Sequence, residues 1–172
     1  SCQYPVVVFF ASAVFWLLAG SALALVASIK MHHPSFLGGL DWLSFGRVRP
    51  AHLGTVIYGW GSLAGIGILL WLEARLCRVR LPLQLPLVVA CVLWNFALVG
   101  GTISILAGHG TSVEWLEYPY IWSFLFAGVF VIVMASSLMM FSGRRVSHIY
   151  VSQWYLFGAI LWFPFLYLLG NA

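Results

Sequence analysis

The chain has 172 residues, 63% of them hydrophobic and 7% charged, with a formal net charge of +4 and a mean hydropathy of +1.02. No soluble domain of this size can bury so much apolar surface, so the composition defines an integral membrane protein. The basic excess consists mostly of arginines near predicted helix ends, so it concerns orientation and lipid headgroups, and nucleic acid is not implied.

Crossing about 30 Å of hydrocarbon takes roughly 20 apolar residues in a helix. Five stretches meet that requirement, at about 5–29, 51–72, 84–107, 120–141 and 149–169. None shows the alternation of a membrane β-strand, so the expected class is an all-α bundle of five transmembrane helices forming one domain over residues 1–172. Position 1 is Ser, the first span begins almost at once, and the fifth ends near Gly170. A piece of a larger membrane subunit is therefore expected.

The first span carries small residues at Ala11, Ala13, Ala19, Gly20, Ala22 and Ala24, which permit close helix contact. The connection from Lys30 to Arg49 holds His32, His33, Asp41 and Trp42. A loop this long between packed spans is often functional. The two adjacent histidines read as interfacial, because neighbours in sequence rarely share one site.

Pro50 has fixed φ and no N–H, which predicts a helix beginning there with His52 in its first turn. Arg47 and Arg49 fall just outside that start. An imidazole at the mouth of a membrane helix, under two guanidiniums, suits an anionic metal cofactor such as haem. The iron takes the imidazole, and the propionates take the arginines and the free N–H groups of the helix start. The competing readings are a histidine bonded to a neighbouring helix and arginines that serve as interfacial anchors. Below His52 the second span is rich in glycine. Gly59 is expected to leave room for a flat macrocycle, and Gly61 and Gly65 form a GxxxG packing pair.

The third span contains Asn95, which is costly in lipid and is expected to face a partner helix or water. Glu114 and Glu117 follow in the next connection. Two readings stand for them, a calcium ion held by oxygen ligands or an ordinary solvated loop. His109 and His148 lie at span ends and read as solvated or hydrogen-bonded. Pro164 should kink the fifth span. Cys2, Cys77 and Cys91 match no ligand spacing, and Cys91 reads as a small packing residue. Loop charge sets five arginines (Arg75, Arg78, Arg80, Arg144, Arg145) on the side of the N-terminus against Lys30, Arg47 and Arg49 on the other. The N-terminus is thus expected in the cytoplasm.

Several motifs in order resemble the catalytic subunit of the cbb-three-type (C-family) cytochrome c oxidases, among the haem–copper oxidases. They are Asp41-Trp-Leu-Ser-Phe-Gly-Arg-Val-Arg-Pro-Ala-His52, Val56-Ile-Tyr-Gly-Trp60, Trp94-Asn95, Glu114-Trp-Leu-Glu-Tyr-Pro119, and Arg144-Arg-Val-Ser-His-Ile-Tyr-Val151 followed by Trp154-Tyr155. The resemblance implies that His52 is one axial ligand of a low-spin haem b and that Arg49 lies by its propionates. It implies a larger fold of about twelve helices, with a high-spin haem and copper centre that reduces oxygen to water and pumps protons. The ligands of that centre are not in this chain, so the five helices alone are not expected to be active. The implied setting is a bacterial inner membrane, with the rest of the oxidase subunit, accessory membrane cytochrome c subunits and a cytochrome c-type electron donor as partners. Where the family has Thr-Asn after the histidine, this chain has Leu53-Gly54. A nitric oxide reductase-like subunit and a haem-free structural or assembly subunit are the alternatives.

Overall fold

The computed structural model describes residues 3–170, so Cys2 lies outside the described residues. It consists of α1 (Gln3–His32), a 3₁₀ turn (Asp41–Leu43), α2 (Phe45–Gly54), a π-helical turn (Thr55–Gly61), α3 (Ser62–Cys77), α4 (Gln84–Leu106), α5 (Tyr120–Ser142) and α6 (Val151–Gly170). The second predicted span is continuous from Phe45 to Cys77, and with α1, α4, α5 and α6 it makes five helices long and apolar enough to cross a membrane. The all-helical expectation and the five spans therefore hold.

One boundary is corrected. The second span begins at Phe45, not at Pro50, because Ser44 O accepts from Arg47 N at 3.0 Å and from Val48 N at 2.9 Å. Leu43 and Val48 bracket this start and are both buried in one apolar cluster with Ala27 of α1. They make a hydrophobic staple that fixes the entry of the chain. The packing outweighs the backbone bond that Pro50 gives up inside α2. Pro164 likewise lies inside α6, which runs through it to Gly170.

The bundle is held by close helix contacts at glycines and by buried rings. A Cβ at Gly101 would lie 2.3 Å from the Tyr118 ring, just before α5, and one at Gly100 would lie 2.2 Å from that of Trp122 in α5, so both rings rest directly on the α4 backbone. The GxxxG pair does not do this work: Gly61 and Gly65 are exposed, and Gly65 has open space where a side chain would stand. The Trp94 and Phe126 rings meet at 4.6 Å, tilted by 52°, and Phe130 and Phe163 stack at 4.7 Å, tying α4, α5 and α6 together. Asn95 faces a partner helix as expected: its Oδ1 accepts from Trp16 Nε1 at 2.8 Å, and its Nδ2 donates to Cys91 O at 2.7 Å. Cys91 is buried among these groups.

Glu73 is fully buried where α3 meets α5, bonded by Ser137 Oγ on one carboxyl oxygen and without a partner on the other. Removing the partner of a buried polar group costs the full desolvation of that group. Ser137→Ala should therefore lower stability by about 1–3 kcal/mol, read as an earlier thermal unfolding transition of the intact subunit in detergent. Adding Glu73→Leu to it should restore most of the loss, since replacing both members of a buried polar pair by apolar groups is nearly neutral. A double variant no more stable than Ser137→Ala would contradict this account of the contact.

Candidate functional site

His52 stands in the last turn of α2, half-buried against α1. Gly20 makes this approach possible, since a Cβ there would meet Val56 Cγ2 at 2.9 Å and Thr55 Oγ1 at 3.0 Å. With no side chain in the way, the Gly20 carbonyl reaches His52 Nδ1 at 2.9 Å. A carbonyl can only accept, so Nδ1 carries a proton, and in the neutral ring Nε2 then keeps its lone pair. An imidazole oriented through one ring nitrogen to a backbone carbonyl, with the other free, is the arrangement metal-ligating histidines use.

The chain leaves α-helical winding immediately after His52. Thr55 to Gly61 form a π-helical turn, and Thr55 Oγ1 donates to His52 O at 2.8 Å. Single π turns inside α-helices cluster at functional sites. Trp94 Nε1 donates to Tyr58 O at 2.8 Å within this turn, and the Tyr58 hydroxyl donates to Trp115 O in the α4–α5 connection. Gly54 stands where the oxidase pattern has Asn, and a Cβ there would meet the Tyr118 ring and hydroxyl at 3.0 Å. Burial pushes the Tyr118 phenol above its usual range, outweighing its hydrogen bond with Thr102, so it stays an uncharged O–H beside α2.

The two arginines take different partners. Arg47 Nη1 donates to Leu106 O at 3.2 Å, satisfying a carbonyl at the C-terminal end of α4, where a cation is favoured. Gly108, at φ +93°, lets the chain turn closely beneath this guanidinium. Arg49 Nη2 pairs with Glu114 Oε1 at 2.7 Å, both side chains at least half exposed. Glu114 is thus an ion-pair partner. Glu117 is buried beside Arg47, in a 240 Å³ recess that Pro50 and Thr111 also line, so the solvated-loop reading fails for it.

Two further expectations are corrected. No macrocycle can lie against Gly59, because a Cβ there would already be 2.7 Å from Trp16 Cβ, and α1 fills the space. The free N–H groups of the helix start lie at Phe45 and beyond, well before His52, and the N–H groups of Arg47 and Val48 are taken by Ser44. The Arg49–Glu114 pair was the contact least visible in sequence; the only signal was that both belong to motifs of one resemblance. His32, His33, His109 and His148 are exposed, and among the described residues no three His, Cys, Asp or Glu side chains gather as a metal site.

The chain is thus a helical membrane bundle that presents, near one end, an imidazole bonded at Nδ1 to a backbone carbonyl, with two arginines close by in sequence. The family model described as cytochrome c and quinol oxidase polypeptide I matches residues 4–172, and the chain belongs to that family. It is similar to the cytochrome c oxidase subunit 1 homolog of Azorhizobium caulinodans, 30% identical over 93% of this chain. The bacteroid cytochrome c oxidase subunit 1 homolog of Bradyrhizobium diazoefficiens is 29% identical over 92%, and the cbb3-type subunit CcoN1 of Stutzerimonas stutzeri 30% over 92%. The aligned part is 29%, 29% and 33% of those three proteins, so the chain spans about three-tenths of their length.

Proposed function

We propose that this chain forms the low-spin haem b half-site of a cbb-three-type terminal oxidase, with His52 Nε2 as one axial ligand. The single observation that carries this reading is the 2.9 Å contact of His52 Nδ1 with the Gly20 carbonyl, which fixes the tautomer that ligates. When bound, the haem supplies a one-electron iron centre between a donor and the oxygen-reducing site. Gly20 holds the imidazole plane. Arg49, half exposed, offers N–H groups beyond the one engaged by Glu114, and Arg47 adds charge from the end of α4; both favour ionised propionates. The second axial ligand, the high-spin haem and the copper would be held by the rest of the subunit, where oxygen reduction and proton pumping take place. Accessory cytochrome c subunits and a cytochrome c-type donor would deliver the electrons. A calcium ion near Glu114 and Glu117 would find two carboxylates toward the about six to eight oxygens it takes.

A reduced-minus-oxidised spectrum of the intact complex tests the assignment: low-spin haem b bands are expected, and their absence would leave a structural or assembly subunit.

The same reading places the complex in a bacterial inner membrane with its N-terminus in the cytoplasm. Five arginines at the N-terminal end, against three basic residues at the other, support that orientation. His52 then lies near the outer face, within reach of an outside donor. Thiol labelling of single cysteines placed at 35–45 should succeed only from the outside; labelling from the cytoplasmic side reverses the orientation.

A further inference from the structure

At the end of the bundle opposite His52, the structure brings together arginines that the oxidase reading does not use. Arg78 and Arg80 leave the end of α3, and Arg144 and Arg145 follow α5. The two connections are tied to each other: Arg145 N donates to Cys77 O at 3.0 Å, and Gln153 Nε2 donates to Cys77 Sγ at 3.2 Å. Between them lies a recess of 580 Å³ lined by Arg78, Arg80, Gly143 and Arg145. Arg145 also lines a second recess of 420 Å³, together with Arg144 and two serines, Ser142 and Ser147.

Nothing among the described residues neutralises this charge. The acid nearest in sequence, Glu73, is fully buried and bonded to Ser137, and the one ion pair among the described residues, Arg49–Glu114, is at the other end. Arg144 donates from Nη1 to Phe141 O at 3.1 Å, while its Nε is a buried donor without an acceptor. Three guanidiniums lining one recess match a phosphate, which guanidiniums bind bidentately. The recess lies where α3 and α5 end, so its depth is that of the headgroup layer. The helix surfaces running from it into the bilayer are apolar, with Leu85, Leu138 and Met139 all at least half exposed. A ligand meeting both conditions has an anionic head and hydrocarbon tails.

We propose that Arg78, Arg80 and Arg145 form a headgroup site for an anionic phospholipid at the N-terminal end of the bundle. The site stands on charge and depth alone and is independent of the haem assignment. A bound phosphodiester would bridge the α3–α4 and α5–α6 connections and so brace the ends of both helices. The test uses the intact complex in nanodiscs of phosphatidylglycerol or of phosphatidylcholine. Phosphatidylglycerol should raise the thermal midpoint, and R78Q/R145Q should lose most of that difference. Each guanidinium removed should weaken headgroup binding roughly fivefold, about 25-fold for the pair. R75Q, whose guanidinium lies over Trp71 at 5.4 Å instead of lining the recess, should keep the difference. If the double variant does not assemble, R78Q and R145Q are read singly, each with its own roughly fivefold loss. An equal phosphatidylglycerol effect with and without these arginines overturns the proposal, as does no lipid preference in the parent complex, the result expected if an acidic protein segment fills the recess. A thermal shift of the same size from inorganic phosphate in detergent would make it a free-anion site and overturn the lipid assignment.

Discussion

Replacing His52 by alanine in the intact subunit should abolish the low-spin haem signal, while Arg49→Ala should only weaken or shift it. The asymmetry follows from what each side chain can be replaced by. In the proposed reading His52 would hold the iron through Nε2, and the residues after it cannot substitute: Leu53 and Gly54 have no ligating atom, and the Thr55 hydroxyl is committed to His52 O at 2.8 Å. Loss of the bond should leave the haem five-coordinate or absent and stop electron delivery. Arg49 contributes charge and hydrogen bonds, about 1.5–3 kcal/mol for a bond to a charged group, and half of its surface is open to solvent, which screens the rest. Removing a positive charge near the iron favours the oxidised state, so the reduction potential should fall while the imidazole bond remains. Arg49→Ala also leaves Glu114 without its cation. A normal six-coordinate spectrum from His52→Ala would refute the assignment.

Gly59→Val should be the most damaging of the glycine substitutions near the site. Its Cβ would fall 2.7 Å from Trp16 Cβ and 2.8 Å from Cγ, atoms close to the α1 backbone that cannot swing aside. Trp16 is further held by its 2.8 Å bond to Asn95 Oδ1. The collision must therefore move α1 as a whole, at about 1–3 kcal/mol or more for overpacking. Because α1 also carries the Gly20 carbonyl that orients His52, the haem spectrum should broaden or shift along with the fall in thermal midpoint. Gly59→Ala should act in the same direction to a smaller extent. Pairing Gly59→Val with Trp16→Leu should recover part of the stability, since contacting residues couple. A Gly59→Val subunit with unchanged stability and spectrum would show that α1 does not position the imidazole.

The five spans were legible because bilayer thickness sets a length that composition alone can meet. Asn95 was legible for a related reason: a polar amide in lipid must find a partner, whichever one it is. His52 was expected in the first turn of a membrane helix but stands at the eighth residue of the span that begins at Phe45, and its orienting carbonyl was not readable, since Gly20 offers no side chain to announce it. The early start of α2 depends on Leu43 and Val48 packing on Ala27, a contact that local signals at Pro50 do not carry. Gly59 was misread because sequence marks a missing side chain without saying what fills the space. The Arg49–Glu114 pair joins residues 65 positions apart, and the π turn has no distinct propensity signature in Thr55–Gly61.

That π turn makes the second span two rods wound out of phase. An α-helix advances about 100° per residue, and each π turn holds one residue more than the α-helical path would need. Above the turn, His52 is aimed by α1 and Arg49 by Glu114; below it, Leu63, Ile66 and Leu70 are aimed by the bundle core. The extra residue sets the angle between those two aims. A one-residue deletion within Thr55–Gly61, at any position but the buried Tyr58, would let the helix close into regular winding and swing the imidazole by about 100° relative to the core face. The chain would lose neither the imidazole nor a buried ring, yet the imidazole would point into a different part of the membrane.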